Sequence, residues 1–165
     1  MNLEISTEVL RQIHRHGEAA YPEEGAGLLL GSDSGLACTV QAILDLPNTR
    51  EDQARRTRYL LSAEDYLRGE AEADRLGLEV LGVFHSHPDH PNRPSEFDRE
   101  WAMPWFSYVI TSVQAVLPGR HSGHAVESRS WRLSEDRSGF IEETIQIERG
   151  EPRVESSNYS PFSTL

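Results

Sequence analysis

A chain of 165 residues is long enough for one domain with one core, and its 16 basic and 27 acidic residues leave a net charge of −11, which repels phosphate backbones and excludes nucleic acid as an expected partner. The single cysteine, Cys38, rules out an internal disulfide and a Cys-rich metal site. No apolar run reaches the roughly 18–20 residues of a membrane span, and no basic segment precedes an apolar one at the N-terminus, so a cytoplasmic protein is expected.

Residues 6–20 read as an amphipathic helix, with Ser6 or Thr7 as cap and Val9, Leu10, Ile13 and Gly17 at helical spacing. Tyr21-Pro22 ends it. Residues 27–31, an apolar run between glycines, predict a buried strand, residues 32–35 a turn, and residues 36–46 a second strand. A polar loop follows at 49–56, then a short strand at 59–61. Ser62 with Asp65 predicts a capping box that opens a helix to Leu76, with Gly77 as its stop. Residues 79–87 form an apolar strand and residues 95–101 a short helix. Strands are predicted at 107–116, 122–133 and 141–147. Interleaved helices and strands indicate an α/β layered domain. The domain is expected to span residues 1–148, with a polar tail at 149–165. All the basic residues are arginine. A GC-rich or salt-adapted source accounts for that, and a lysine-free chain also offers no lysine side chain for modification.

The chemistry concentrates in three segments. His85-Ser86-His87-Pro88 ends the apolar strand. Residues i and i+2 of a strand face one side, about 6.5–7 Å apart along the chain, so both imidazoles can turn to one ion. His-x-His on a strand is also met without a metal. Ser95-Glu96-Phe97-Asp98 has a purely structural reading, as an N-cap with an acid in the first helical turn. Beside the histidines it also offers a carboxylate ligand. Two histidines and a carboxylate match a hydrolytic zinc site, which keeps a fourth position open for water. Such a site needs a separate proton carrier. Glu23 and Glu24 stand before the first apolar strand, where a solvated turn is the simplest local reading.

Glu24-Gly25-Ala26-Gly27-Leu28-Leu29-Leu30-Gly31, His85-Ser86-His87-Pro88 and Ser95-Glu96-Phe97-Asp98 together resemble the JAMM (MPN+) metallopeptidase family in order and spacing, across residues 1–147. The resemblance implies a central mixed curved sheet flanked by helices, of deaminase-like type. It implies zinc held by His85, His87 and Asp98, Glu24 as general base and then acid, and Ser95 donating to the oxyanion. Glu24 matches the family position because it lies three before Gly27; Glu23 does not. The family often has cysteine where this chain has Ala26, a small apolar exchange.

The chain resembles short prokaryotic members linked to ubiquitin-like sulfur-carrier proteins. That implies cleavage after the Gly-Gly tail of such a carrier, with Ala26 and Ser86 as contributors to a narrow groove. Isopeptidase action on lysine-linked conjugates is the alternative within enzymes. A non-catalytic scaffold is the alternative outside them, and a retained zinc set argues against it. Elsewhere, His121 and His124 read as exposed loop histidines, and His14 and His16 as solvent-facing helix residues. Asp89 and His90 read as loop in preference to lining the substrate groove, Trp101 and Trp105 as core or groove wall, and Cys38 as buried in a strand.

Overall fold

Ser6 does two jobs at the start of the chain. It ends strand β1 (Asn2–Ser6) and caps helix α1 (Thr7–Ala20), its hydroxyl accepting the Val9 N–H at 3.1 Å. The computed structural model describes residues 2–47, 61–119 and 121–148. Strands β2 (Ala26–Asp33) and β3 (Ala37–Leu46) follow α1 as an antiparallel pair. Helix α2 (Ala63–Leu76) opens on the predicted Ser62–Asp65 box and stops at Gly77, whose φ of 68° is left-handed. Strand β4 (Glu79–Pro88), helix α3 (Glu96–Trp101) and strands β5 (Ser107–Ala115), β6 (Gly123–Leu133) and β7 (Phe140–Glu148) complete the described chain.

The mixed sheet between helices is as expected, but its shape is not that of an open curved sheet. It closes on itself in the order β1-β3-β2-β4-β5-β6-β7, with β7 returning to β1. The closing strand is β1, which had no predicted counterpart. It runs parallel to both neighbours, pairing Leu3 with Cys38 on one side and with Ile145 on the other. Leu3 and Ile5 are fully buried, yet five residues with two apolar positions carry almost no local signal. The partners lie far away in sequence, and that is why β1 escapes a local reading. The loop expected at 49–56 and the tail at 149–165 lie outside the described residues. So does most of the strand expected at 59–61; Leu61, its described residue, is in no strand.

Alternation along the central strands sends side chains to two cores. Ala26, Leu28, Leu30, Val83 and Tyr108 pack with Ala73 of α2. Leu29, Phe84 and Val109 pack with Val9 and Ile13 of α1. Within the ladder, Ala26 pairs with His85 and Leu28 with Val83, so the two histidines emerge on the α2 and α3 side. Gly82 pairs with Ser107 of β5, and a Cβ there would lie 1.9 Å from the Ser107 carbonyl oxygen. Backbone cannot yield as a flexible side chain does. Gly82→Ala is therefore expected to destabilise the fold by about 2–4 kcal/mol, read as a lowered urea midpoint at unchanged slope. An unaltered midpoint would mean that β4 and β5 are not this close.

Candidate active site

His85 and His87 stand on the same face of β4, both buried, with their Nε2 atoms 3.1 Å apart. Asp98 comes from the first turn of α3. Its Oδ1 lies 3.3 Å from His85 Nε2 and its Oδ2 3.8 Å from His87 Nε2. Zinc bonds of about 2.0–2.1 Å in a tetrahedron put neighbouring ligand atoms about 3.3–3.4 Å apart. The three side chains are thus gathered at ligand spacing, and they are the one such group among the described residues. The Pro91 carbonyl, 2.7 Å from His87 Nδ1, can only accept. That fixes the proton on Nδ1 and leaves the Nε2 lone pair facing the cluster. Burial pushes the His85 pKa down to about 4, Asp98 opposing the shift and His87 adding to it. At neutral pH His85 is in the uncharged form that a metal requires.

The capping and ligand readings of Asp98 prove compatible. Ser95 Oγ accepts the Asp98 N–H at 3.1 Å, and Asp98 Oδ2 accepts from the Ser95 N–H at 2.6 Å and hydroxyl at 2.7 Å. The box holds the carboxylate still and leaves Oδ1 toward His85. Helix α2 carries the same box, with Asp65 accepting from the Ser62 N–H at 2.9 Å and hydroxyl at 2.8 Å. Asp65 is also buried but joins no ligand group among the described residues. The Ser-x-x-Asp pattern is therefore structural in itself; position beside His85 and His87 distinguishes Asp98.

Glu24 reaches the cluster through the sheet. The β2–β4 pairing at Ala26 and His85 continues outward, the Ser86 N–H donating to the Gly25 carbonyl at 2.9 Å and the Gly25 N–H to Ser86 Oγ at 2.9 Å. The residue before Gly25, Glu24, lines one cleft with His87. Glu24 is 5% exposed, whereas Glu23 faces solvent. Glu24, His87 and Ser95 line a cleft of about 340 Å³ together with His90, Pro91 and Arg93. Neither Ala26 nor Ser86 lines it. Ala26 is fully buried in the α2-side core. Ser86 points to the opposite face, where a Cβ on Gly17 of α1 would meet its own at 3.1 Å. Its hydroxyl ties the Glu24 segment to the histidine strand.

The loop after β4 is held at several points that its turn-like composition does not reveal. Asp89 adopts a left-handed φ of 56° and accepts from the Tyr21 hydroxyl at 2.7 Å and the Ala115 N–H at 3.0 Å. The Ser112 hydroxyl donates to the His90 carbonyl at 2.8 Å. The Trp131 indole donates to the Asn92 carbonyl at 3.0 Å, and the Asn92 amide donates to the Glu127 carboxylate at 3.0 Å. These contacts position Pro91, and through its carbonyl His87. His14 and His16 are half-buried, not fully turned to solvent. His14 Nε2 lies 3.0 Å from Ser128 Oγ, and His16 stands edge-on to Phe84 at 5.5 Å between ring centres. His124 is exposed and Cys38 buried in β3. Trp101 and Trp105 are both mostly exposed. Trp101 walls a hollow with Leu61, Tyr66, Phe97, Asp98 and Met103. Trp105 walls a larger hollow of about 620 Å³ that shares no residue with the cluster.

A closed mixed α/β sheet bearing this cluster beside a buried acid defines a JAB/MPN-type domain. The model of the prokaryotic homologs of the JAB domain matches residues 6–134, and the chain belongs to that family. It is 29% identical over 118 residues to a probable TtuB-protein conjugate cleaving protease of Thermus thermophilus, covering 70% of this chain and 75% of that protein. It is 32% identical over 102 residues to the deubiquitinase BRCC36 of Camponotus floridanus, covering 58% of this chain and 39% of that one. A Salinibacter ruber protein of known solution structure is 42% identical, with a TM-score of 0.66 and coverage of 91% of this chain and 93% of that one. A JAB1/MPN domain protein from Archaeoglobus fulgidus shares the fold, with a TM-score of 0.51 at 21% identity, covering 90% of this chain and all 100% of that one. No helix among the described residues is long and apolar enough to cross a membrane.

The buried His85 sets a pH dependence. Its folded pKa of about 4 lies below the ordinary histidine value of 6.5, so between those values the unfolded chain binds the extra proton. The metal-free protein is expected to lose stability as pH falls from 6.5 toward 4, the contribution levelling off below that. Urea unfolding after chelation checks this; the slope should shrink in His85→Gln. An identical slope in that variant would assign the dependence to other groups.

Proposed function

We propose that this chain is a zinc metallopeptidase that hydrolyses the amide bond after the C-terminal Gly-Gly of a ubiquitin-like sulfur-carrier protein. The observation that carries the reading is the buried group of His85, His87 and Asp98 at ligand spacing, opening on a cleft that holds Glu24 and Ser95. Two imidazoles and a carboxylate form a donor set that suits zinc. His85, His87 and Asp98 would hold the ion. When bound, it supplies a Lewis acid that polarises the scissile carbonyl and acidifies a water.

This chain's own groups then move the protons. Glu24 takes a proton from the attacking water and returns it to the leaving amine. Its burial at the cleft wall keeps bulk water from levelling that transfer. Ser95 has one hydroxyl hydrogen, which in the resting site goes to Asp98 Oδ2. The Asp98 N–H keeps Ser95 Oγ in place while that hydrogen turns to the developing oxyanion. The relative from Thermus thermophilus, named for cleaving protein conjugates, supports the substrate class. The match to a deubiquitinase favours a second reading, release of ubiquitin-like proteins from lysine side chains.

Glu24→Gln is expected to lower kcat by about 10²–10⁴-fold with zinc content unchanged, since it removes a proton carrier and no ligand. Mass spectrometry of Gly-Gly carriers extended by one residue, beside lysine-linked conjugates, reads the products. Retained turnover would move the base elsewhere, and cleavage of the lysine-linked form alone would favour the second reading. Asp98→Ala should release the zinc, whereas Asp65→Ala, which breaks the matching box on α2 at about 0.5–2 kcal/mol, should keep it. Equal zinc in both variants would remove Asp98 from the ligand set.

A further inference from the structure

Two hollows flank the cluster, and they differ in chemistry. Asp98 borders one with Leu61, Tyr66, Phe97, Trp101 and Met103, an apolar and aromatic wall. His87 borders the other with Glu24 and Ser95, and its remaining wall includes His90 and Arg93. Hydrolysis breaks the C–N bond and joins the water oxygen to the carbonyl carbon, and one water proton ends on the leaving amine. If Glu24 delivers that proton, whatever carries the amine must lie in the Glu24 cleft. The acyl chain is left with the aromatic side. The contents of the Glu24 cleft therefore decide which leaving group is accepted.

Arg93 stands out there. Arg11, Arg75, Arg99, Arg129 and Arg132 each meet a carboxylate, and Arg137 donates to the carbonyls of Arg99, Glu100 and Ala102. Arg93, like Arg15 and Arg68, meets no carboxylate among the described residues, although the chain carries a net charge of −11, and of these three Arg93 is the one that lines the cleft. The nearby Glu127 is engaged by Asn92 and Arg129. The Arg93 side chain is exposed, but its backbone is held. It sits between Asn92, pinned through its carbonyl and its amide, and Pro94, which confines the preceding backbone to extended conformations. An exposed guanidinium without a carboxylate partner, carried on an anchored backbone at the edge of a hydrolytic cleft, is a ready partner for a carboxylate.

We infer that Arg93, with His90 beside it, is the specificity determinant for the leaving group and receives the free α-carboxylate of a single amino acid. The preferred substrate is then a carrier extended by one C-terminal residue. In a lysine isopeptide the leaving amine sits on a bare methylene stem and brings no anion to Arg93. This inference rests on the peptidase reading and narrows its substrate.

The probes are two synthetic peptides ending in Gly-Gly-Ala, one a free acid and one a carboxamide, offered to the zinc-loaded full chain. The acid should be favoured about 10- to 100-fold in kcat/KM, the range of a charge-assisted contact. Arg93→Gln should bring the acid-to-amide ratio to about one, and Arg93→Lys should restore part of it. Calorimetric binding of both peptides to Glu24→Gln protein should show the same order without turnover. Equal use of acid and amide by the unaltered chain, or a preference that survives Arg93→Gln, overturns the role of Arg93 and leaves the peptidase standing. Neither binding nor cleavage of either peptide overturns both.

Discussion

The register between β2 and β4 is the constraint on which the site depends. Pairing Ala26 with His85 puts their side chains on one face, and the Gly25–Ser86 step beyond it brings Glu24 to the cleft that His87 lines. A slip of one residue would exchange the two faces of β2, turning Ala26, Leu28 and Leu30 to the α1 side. Gly25 and Ser86 lock the last step of that ladder with two hydrogen bonds of 2.9 Å. Ser86 thus serves the site from behind it, through the geometry of the strand.

A second constraint is the loop between β4 and α3. The histidines are part of a ten-residue strand, whereas Asp98 arrives from a different element. The loop must return the chain to the cluster with little freedom. Asp89 is bonded to Tyr21 and β5, His90 to β5, and Asn92 to Trp131 and Glu127 of β6. The capping box then sets the Asp98 side chain itself. Rigid supports of this kind keep ligand atoms at bonding distance before any ion arrives.

Much of this was legible along the chain, for reasons that differ by residue. The helix boundaries at Ser6, Ser62 and Ser95 follow from local hydrogen-bond chemistry. The apolar strands ending at Leu46 and Pro88 follow from composition and flanking turns. The gathering of His85, His87 and Asp98 was readable from three motifs taken together, though each has a bland meaning alone. What stayed hidden depends on contacts distant in sequence. β1 has meaning only beside β3 and β7. His14 and His16 occupy an apparently polar helix face that β6 and Phe84 cover. Ser86 looks like part of a site motif, but strand alternation sends it to the other face. Asn92 and Trp131 give no local sign that they meet.

Zinc bound at this cluster is the centre of the account. Anomalous scattering at the zinc edge from crystals of the loaded protein locates the ion directly. A single peak within about 2.0–2.2 Å of His85 Nε2, His87 Nε2 and a carboxylate oxygen of Asp98 is the predicted result. A peak elsewhere, or one bound by Glu24 in place of Asp98, would contradict it.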